Sequence, residues 1–155
     1  MSGEALDDVD RRILSIVQTS GRLSGTEIGR RVNLSQPAVS SRLQRLERSG
    51  AICGYRAVVD PEALGLSIHA VVRLRTTHAQ INATLELLEG LPEVTSVYRV
   101  TGDDCFLLDV HASDARRLEQ VVDQVARYGP VTTSLVLREY PRKPFAASSV
   151  RDSQG

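Results

Sequence analysis

The polar side chains of residues 36–48 are of the types that bind nucleic acid. If this segment is a helix whose buried side carries Val39, Leu43 and Leu46, a spacing of 100° per residue places Ser, Gln and Arg on its other sides. Hydroxyl, amide and guanidinium groups form hydrogen bonds with phosphate oxygens and with base edges. No acidic residue precedes Glu47 in this segment. We therefore predict that the helix contacts double-stranded DNA through Gln36, Pro37, Ser40, Ser41, Arg42, Gln44, Arg45 and Arg48.

The distribution of charge supports this prediction. The chain has 155 residues, and its 19 basic and 19 acidic side chains give a net charge of zero. Residues 21–60 nevertheless hold seven Arg against three acids, a net charge of +4, whereas residues 61–140 hold seven Arg against eleven acids, a net charge of −4. An excess of four charges alone is compatible with chance and with an ordinary solvated surface. Because the excess coincides with the polar helix, we expect the first half of the chain to bind a polyanion.

Composition excludes several classes of protein. Hydrophobic residues make up 41% and charged residues 25% of the chain, which are ordinary globular values and argue against wholesale disorder. No apolar run approaches the ~20 residues that a membrane span requires, and the first residues lack the cationic and apolar regions of a signal peptide. Two cysteines are too few for a disulfide framework and fit a reducing compartment. We expect a cytoplasmic protein that has no membrane partner.

Residues with catalytic or metal-binding chemistry are not arranged in known patterns. The three histidines do not have the spacing of zinc ligands and lack a neighbouring Cys pair. Neither Cys53 nor Cys105 has an adjacent His–acid arrangement, and no nucleophile elbow, phosphate loop or paired-carboxylate motif occurs. We therefore expect no catalytic residue, no metal and no cofactor. A redox-sensing role for Cys105 remains an alternative.

Three helices are predicted to position the DNA-contacting side chains. Helical apolar spacing extends over about residues 6–17, then 24–32, and then from the N-cap Ser35 to a stop at Gly50. Only two residues, 33 and 34, separate the second pattern from the third cap. Two short helices joined by such a turn and preceded by a bracing helix indicate a helix-turn-helix, whose last helix enters the major groove.

The second half of the chain alternates between extended and helical patterns. Residues 52–59 are strand-like, residues 60–65 have turn composition, and the segments after them follow the order strand, helix, strand, strand, helix, strand. The order βαββαβ indicates an α+β, ferredoxin-like domain. Val71 and Val97 are expected on the sheet face that carries no helices, which is expected to be too apolar to face water and so to make residues 61–140 dimerise. The predicted domains are a DNA-binding domain at 1–52, a hinge strand and linker at 53–66, the βαββαβ domain at 67–140 and a disordered tail at 141–155.

Several motifs occur in the same order as in a known family. They read LDxxDxxIL from Leu6, IGxxVNLS from Ile28, VxxRLxxLExxGxIxGY from Val39 and VDPxxLG from Val59, followed by PEV from Pro92. Over about residues 6–140 the chain resembles the Lrp/AsnC, or feast/famine, family of transcription regulators. The resemblance implies a winged helix-turn-helix, a hinge strand and an αβ sandwich that dimerises and binds amino acids. It also implies homo-oligomers from dimers to tetramers and octamers.

The resemblance also implies an effector pocket between dimers. The central motif of the family is usually Gly-Asp-aromatic-Asp-aromatic, whereas this chain reads GDDCF from Gly102, so that Asp104 replaces an aromatic residue and Cys105 replaces an acid. An α-amino acid requires an acceptor for its ammonium group and donors for its carboxylate. A simple hairpin turn would also explain these residues. The predicted effector site comprises Thr101, Gly102, Asp103, Asp104, Cys105, Thr132 and Ser134.

Three functions are compatible with parts of this pattern: an enzyme, an RNA-recognition module and a DNA-binding regulator. A minority of chains that resemble this family are enzymes that decarboxylate tetrapyrroles. Such enzymes are expected to lack basic residues in the third helix, whereas this chain has Arg42, Arg45 and Arg48 there. A βαββαβ RNA-recognition module would need stacking aromatics on its central strands, where Phe106 is the one aromatic present. The sequence favours a DNA-binding transcription regulator that reads a pseudo-palindromic operator under control of a small effector, predicted to be an amino acid.

Overall fold

The computed structural model describes residues 5–146, which form two compact units. Residues 5–58 together with residues 141–146 form one unit, and Val59–Tyr140 form the other; they are here called the DNA-binding unit and the effector unit after their predicted roles. The division lies within residues 53–66, the segment predicted as hinge and linker. No helix in residues 5–146 is long and apolar enough to cross a bilayer.

The DNA-binding unit contains the three predicted helices: α1 (Asp8–Thr19), α2 (Gly25–Val32) and α3 (Gln36–Arg48). Each begins after a residue whose side-chain oxygen accepts a hydrogen bond from a first-turn amide, because these amides have no partner within the helix. These cap residues are Asp7, Ser24 and Ser35. The apolar sides of the helices meet in a core of Ile13, Ile28, Val32, Val39 and Leu46. The predicted helix-turn-helix is confirmed.

The predicted wing and hinge strand are absent from the described chain. Between α3 and Ile68 the structure has one short 3-10 helix (Pro61–Leu64) and no strand. Residues 53–60 are exposed, and Val58 is exposed over its whole surface. A strand exists only when its backbone amides and carbonyls pair with those of a neighbour. Within residues 5–146, the alternating apolar residues of this segment have no such neighbour.

The effector unit is built on a four-stranded antiparallel sheet in the order β2-β3-β1-β4, which confirms the predicted βαββαβ domain. Its elements are β1 (Ile68–Leu74), α4 (Ile81–Glu89), β2 (Val94–Arg99), β3 (Phe106–Ala112), α5 (Ala115–Ala126) and β4 (Val131–Leu135). The last strand is shorter than the pattern over 131–140 predicts. It pairs only with β1, which begins at Ile68, and the last bond is donated by Val136 N–H to His69 O at 2.9 Å.

The two faces of the sheet differ in their surroundings. Alternate residues of β1 and β3 point toward α4 and α5 and form the core of the unit with Leu88, Val121 and Val125. On the opposite face, here called the open face, Val71 lies half-buried beside Arg73, and Leu107 pairs with Tyr98. The prediction that Val97 lies on this face is wrong, because Val97 pairs with the buried Leu108 and shares its side of the sheet.

Residues 141–146, predicted as the start of a disordered tail, form no helix or strand and are exposed. The backbone N–H of Phe145 donates to Gln18 Oε1 at 2.8 Å, and Gln18 Nε2 donates to the carbonyl of Phe145 at 3.2 Å. This pair of hydrogen bonds attaches the segment to α1. The rest of the predicted tail, residues 147–155, lies outside the described residues, as do residues 1–4.

Candidate functional site

The exposed side of α3 brings together most of the predicted DNA-contacting residues. Five of them are exposed and Ser40 is half-buried at the flank of the same surface. Gln36 Nε2 donates to Ser40 Oγ at 3.0 Å, and Arg48 Nε donates to the carbonyl of Gln44 at 3.4 Å. This surface, here called the α3 surface, consists of Gln36, Pro37, Ser40, Ser41, Gln44 and Arg48.

The structure places Arg42 and Arg45 against α1 instead. Arg42 Nη1 donates to Asp7 Oδ2 at 2.6 Å and to Asp10 Oδ1 at 2.8 Å. Arg45 Nη2 donates to both Asp10 carboxylate oxygens, at 2.7 and 2.6 Å. The Asp10 side chain is only 1% exposed. The two arginines therefore hold α3 on α1, and their charges are largely neutralised within the fold.

The hydrogen bonds of this ion cluster lower the pKa of Asp10. Burial acts to raise the pKa of Asp10, but the hydrogen bonds from Arg45 and Arg42 outweigh it and leave the pKa below its ordinary value of 3.8. The same contacts to Asp7 and Asp10 raise the pKa of Arg42. Asp10 is therefore a buried carboxylate that stays ionised at neutral pH. The sequence shows Asp7 and Asp10 at the start of α1, where acidic side chains cap a helix. It does not indicate that their arginine partners lie about 35 residues further along the chain.

A close backbone approach sets the turn between α2 and α3. Gly29 is buried, and a Cβ atom at this position would lie 2.5 Å from the carbonyl oxygen of Leu34. The turn itself uses Asn33 in the left-handed conformation, with φ of 59°. Absence of a side chain at Gly29 therefore lets the turn fold back onto α2, which fixes the placement of α3.

The predicted hinge is attached to the end of α3. Tyr55 Oη donates to Glu47 Oε1 at 2.9 Å. Burial, and then the Glu47 carboxylate, raise the pKa of Tyr55, so its hydroxyl remains protonated and able to donate. The contact connects the residues that follow the helix-turn-helix to the C-terminal turn of α3.

The predicted effector residues 101–105 join β2 to β3 at the sheet end where β1 stops. This segment, here called the effector loop, receives a hydrogen bond from Arg75 Nε to Asp103 O and another from Arg99 Nη1 to Cys105 O, both 3.0 Å long. The Arg99 guanidinium also lies 5.0 Å from the centre of the Phe106 ring. Two cationic side chains that the sequence reasoning missed therefore flank the two acids of the loop.

Residues within the loop differ in exposure. Thr101, Gly102 and Asp103 are exposed, whereas Asp104 and Cys105 are half-buried. Gly102 has φ of +107°, a conformation that favours glycine. The loop therefore presents one exposed acidic residue, Asp103, beside a glycine with positive φ.

Cys105 fastens the loop to the end of β1. Its N–H donates to the carbonyl of Leu74 at 2.8 Å, and its Sγ donates to the carbonyl of Thr76 at 3.0 Å. The backbone at Thr76 and the Arg99 guanidinium lower the pKa of the thiol. The residue that departs from the family motif therefore supports the shape of the loop.

Thr132 and Ser134 lie outside the loop, on the open face of β4. Thr132 pairs with Arg73 and Ser134 pairs with Val71. Thr132 is at the same end of the sheet as the effector loop, and Ser134 is further along the strand. In the described part of the chain, no hydrogen bond connects either hydroxyl to the loop.

Comparisons with known families match both units. Residues 6–47 match the AsnC-type helix-turn-helix domain. Residues 69–144 match the Lrp/AsnC ligand binding domain. The first match includes every residue of the α3 surface except Arg48, and the second match includes the effector loop.

Comparisons with individual proteins agree with these matches. The chain is 36% identical over 131 residues to the transcriptional regulator LrpA of Mycobacterium tuberculosis, covering 84% of this chain and 87% of the relative. The solved structure of Bacillus subtilis LrpC superposes with a TM-score of 0.85 at 28% identity, covering 90% of this chain and all of that chain. A Neisseria meningitidis transcriptional regulator solved as a complex with L-Met superposes with a TM-score of 0.80 at 28% identity, covering 89% and 94% of the two chains.

Proposed function

Since the chain belongs to the Lrp/AsnC family and is a transcriptional regulator with a DNA-binding and a ligand-binding domain, we propose that a free amino acid bound at the effector loop controls its binding to a pseudo-palindromic operator. The observation that carries the proposal is the combination, in one chain, of the exposed α3 surface and a loop with paired acids and guanidinium groups.

The α3 surface supports insertion into the major groove. Its exposed amide, hydroxyl and guanidinium groups are of the types that pair with base edges and phosphates. A symmetric dimer would place two copies of α3 in successive major grooves, ~34 Å apart, on a pseudo-palindromic site. Arg42 and Arg45 act in this proposal as positioning residues that fix α3 on α1.

Gln44 and Arg48 are expected to contribute differently to DNA binding. Arg48→Ala should weaken binding to all duplexes and reduce the slope of log affinity against log salt by ~0.9, because one phosphate contact is lost. Gln44→Ala should reduce discrimination between the operator and a scrambled duplex by about 1 to 3 kcal/mol, since an amide reads base edges. Fluorescence anisotropy on a duplex selected from a random library by the wild-type protein measures both effects.

Arg116, an exposed residue of α5 in the effector unit, provides the matched control. Arg116→Ala should change neither the salt slope nor the base discrimination. Binding of the wild type that does not respond to salt, or protection confined to single strands, would show that the major-groove proposal is wrong.

The open face and the predicted hinge support self-association through a second copy of the chain. The open face exposes Tyr98 over 44% of its surface beside the apolar side chain of Leu107. Residues 53–60 are exposed and apolar at alternate positions, and they belong to no strand within the described residues 5–146. A two-fold arrangement would cover the first surface and supply the missing neighbour for the second. We propose a dimer as the basic unit, with tetramers or octamers built from it.

The effector loop supports recognition of a zwitterion. Asp103 and Asp104 provide acceptors for an ammonium group, with the exposed Asp103 as the primary partner. Arg75 and Arg99 each use one nitrogen to bind the loop backbone, and guanidinium groups bind carboxylates through two parallel hydrogen bonds. The neighbour from Neisseria meningitidis was solved with L-Met, an α-amino acid. An effector bound between dimers would shift the equilibrium between oligomers, and operator DNA would change effector affinity by the same factor.

The carboxylates of the effector loop are expected to determine amino-acid affinity. A thermal-shift screen with the twenty amino acids identifies a ligand, since a compound that binds only the folded state raises the unfolding temperature. Calorimetry should then show at least tenfold weaker binding for Asp103→Ala, because a charge-assisted hydrogen bond contributes about 1.5 kcal/mol or more. Asp123→Ala on α5 should leave the affinity unchanged.

Two results would contradict the effector proposal. If Asp103→Ala and Asp104→Ala both bind the screened amino acid as tightly as the wild type, the ammonium contact is assigned to the wrong groups. If no amino acid binds the wild type at millimolar concentration, the amino-acid effector itself is wrong.

A further inference from the structure

The chain that leaves α3 is folded back onto the end of this helix. The backbone N–H of Gly50 donates to the carbonyl of Glu47 at 3.1 Å, and that of Ile52 donates to the carbonyl of Leu46 at 3.0 Å. Gly50 has φ of +77°, which permits the reversal. Ile52 then packs against the core of the DNA-binding unit. The course of the chain is therefore fixed as far as Ile52.

Tyr55 is the last residue of this segment that is bound to α3. Its hydroxyl donates to Glu47 Oε1 at 2.9 Å. Within the described residues, no hydrogen bond involves residues 56–59, and Val58 is exposed over its whole surface. The contact between Tyr55 and Glu47 therefore determines the direction in which the chain leaves the DNA-binding unit.

A second contact holds the chain where it returns to the DNA-binding unit. The main chain of Phe145 forms two hydrogen bonds with the Gln18 side chain. Phe145 and Tyr55 line the same cavity of this unit, so both connections to the effector unit are attached on one side of it. The Tyr55 contact acts directly on α3, because its acceptor Glu47 belongs to that helix.

We propose that the Tyr55–Glu47 hydrogen bond determines which spacing between the two operator half-sites the protein selects. This inference rests on the proposed dimer and its pseudo-palindromic operator. In such a dimer the two α3 helices belong to different chains, so their separation and relative rotation depend on how each DNA-binding unit is joined to the rest of its chain. Tyr55 is a positioning residue in this proposal and does not touch DNA.

The geometry of the duplex makes half-site spacing a sensitive measure of this contact. Each base pair inserted between two half-sites separates them by a further ~3.4 Å and rotates one of them by about 35° around the duplex axis. A DNA-binding unit held in one direction matches one spacing, whereas a unit that turns freely matches several. A hydrogen bond to a carboxylate favours one arrangement over its alternatives by about tenfold.

Fluorescence anisotropy on duplexes with two inverted half-sites at varied spacing tests the proposal, with the half-site taken from the duplex that the wild type selects. The wild type should bind at least about tenfold more weakly when the spacing departs from its optimum by about two base pairs. Tyr55→Phe keeps the ring and loses the hydroxyl, so this penalty should fall below about threefold. Its affinity for a single half-site should equal that of the wild type, since the α3 surface is unchanged.

Three further variants assign the effect to the hydrogen bond. Glu47→Gln keeps an acceptor oxygen and should retain the wild-type dependence on spacing, measured relative to a single half-site. Glu47→Ala should lose this dependence as Tyr55→Phe does. Tyr140→Phe removes the hydroxyl of a tyrosine of the effector unit that is 74% exposed, and it should behave like the wild type. Circular dichroism confirms that each variant is folded.

The outcomes separate this inference from the proposed function. A Tyr55→Phe variant with the spacing dependence of the wild type would overturn the inference and leave the proposed dimer in place. A Tyr55→Phe variant that binds a single half-site more weakly would also overturn it, because the contact would then position α3 within one unit only. A wild type that binds two half-sites no more tightly than one, at every spacing, would overturn the pseudo-palindromic operator itself, and the inference with it.

Discussion

Replacing Gly29 by alanine is expected to abolish operator binding, although Gly29 is a buried residue outside the α3 surface. The new Cβ would lie 2.5 Å from the carbonyl oxygen of Leu34, well inside van der Waals contact. A backbone oxygen cannot rotate away as a flexible side chain can, so α2 and the turn must separate. We expect a loss of about 3 kcal/mol in the free energy of unfolding of the DNA-binding unit. Anisotropy with the selected duplex and urea denaturation measure the two effects.

Gly21 provides a matched control within the same unit. A Cβ at Gly21 would lie 3.7 Å from the carbonyl of Val17, an ordinary contact. Gly21→Ala should therefore bind DNA and unfold like the wild type. Wild-type affinity and stability in Gly29→Ala would mean that the α2–α3 turn does not require the close approach seen here.

Replacing Asp10 by alanine is expected to destabilise the DNA-binding unit by about 3 to 5 kcal/mol, since removing one partner leaves the others of a buried ion cluster uncompensated. Arg42 and Arg45 would lose the carboxylate that they share, and the capping of α1 would lose one of its two side chains. Urea denaturation followed by circular dichroism measures the change. Hydrogen exchange at α1 and α3 assigns it to this unit.

The exposed carboxylate of Asp123, on α5, serves as the control for this substitution as well. Asp123→Ala should change the free energy of unfolding by less than about 0.5 kcal/mol. The contribution of Asp10 should also depend on pH. Because its folded-state pKa is lowered, the stabilisation is complete above the ordinary value of 3.8 and is lost as pH falls through the folded-state value. An equal stability of Asp10→Ala and wild type at pH 7 would contradict a stabilising role for the cluster.

Local patterns predicted the helices and the sheet because their causes are local. Caps such as Ser24 and Ser35 act on amides two or three residues away, and the apolar period fixes which side of a helix is buried. The strand order follows from the sequence of elements, because βαββαβ chains have few arrangements that pair all strands. These features therefore need no knowledge of distant residues.

The errors concern contacts between residues that are far apart in the sequence. A helical projection places Arg45 near the outer side of α3, but its direction is decided by Asp10 on α1. The open-face assignment of Val97 failed because β2 has an irregularity in its register between Val94 and Ser96. The guanidinium of Arg75 reaches the effector loop only because β1 ends beside it. Sequence spacing contains none of this information.

The hydrogen bonds between Phe145 and Gln18 have a consequence for how this architecture can be rearranged during evolution. Because residues 141–146 return to the DNA-binding unit, Val59–Tyr140 is an insertion within that unit. A single genetic crossover after residue 58 would exchange the effector unit together with the segment that binds α1. Replacing the effector unit alone requires two junctions, one on each side of the insertion. After a single crossover, the incoming segment that replaces residues 141–146 must still present a backbone amide and carbonyl to Gln18, a contact that does not depend on the side chain at position 145.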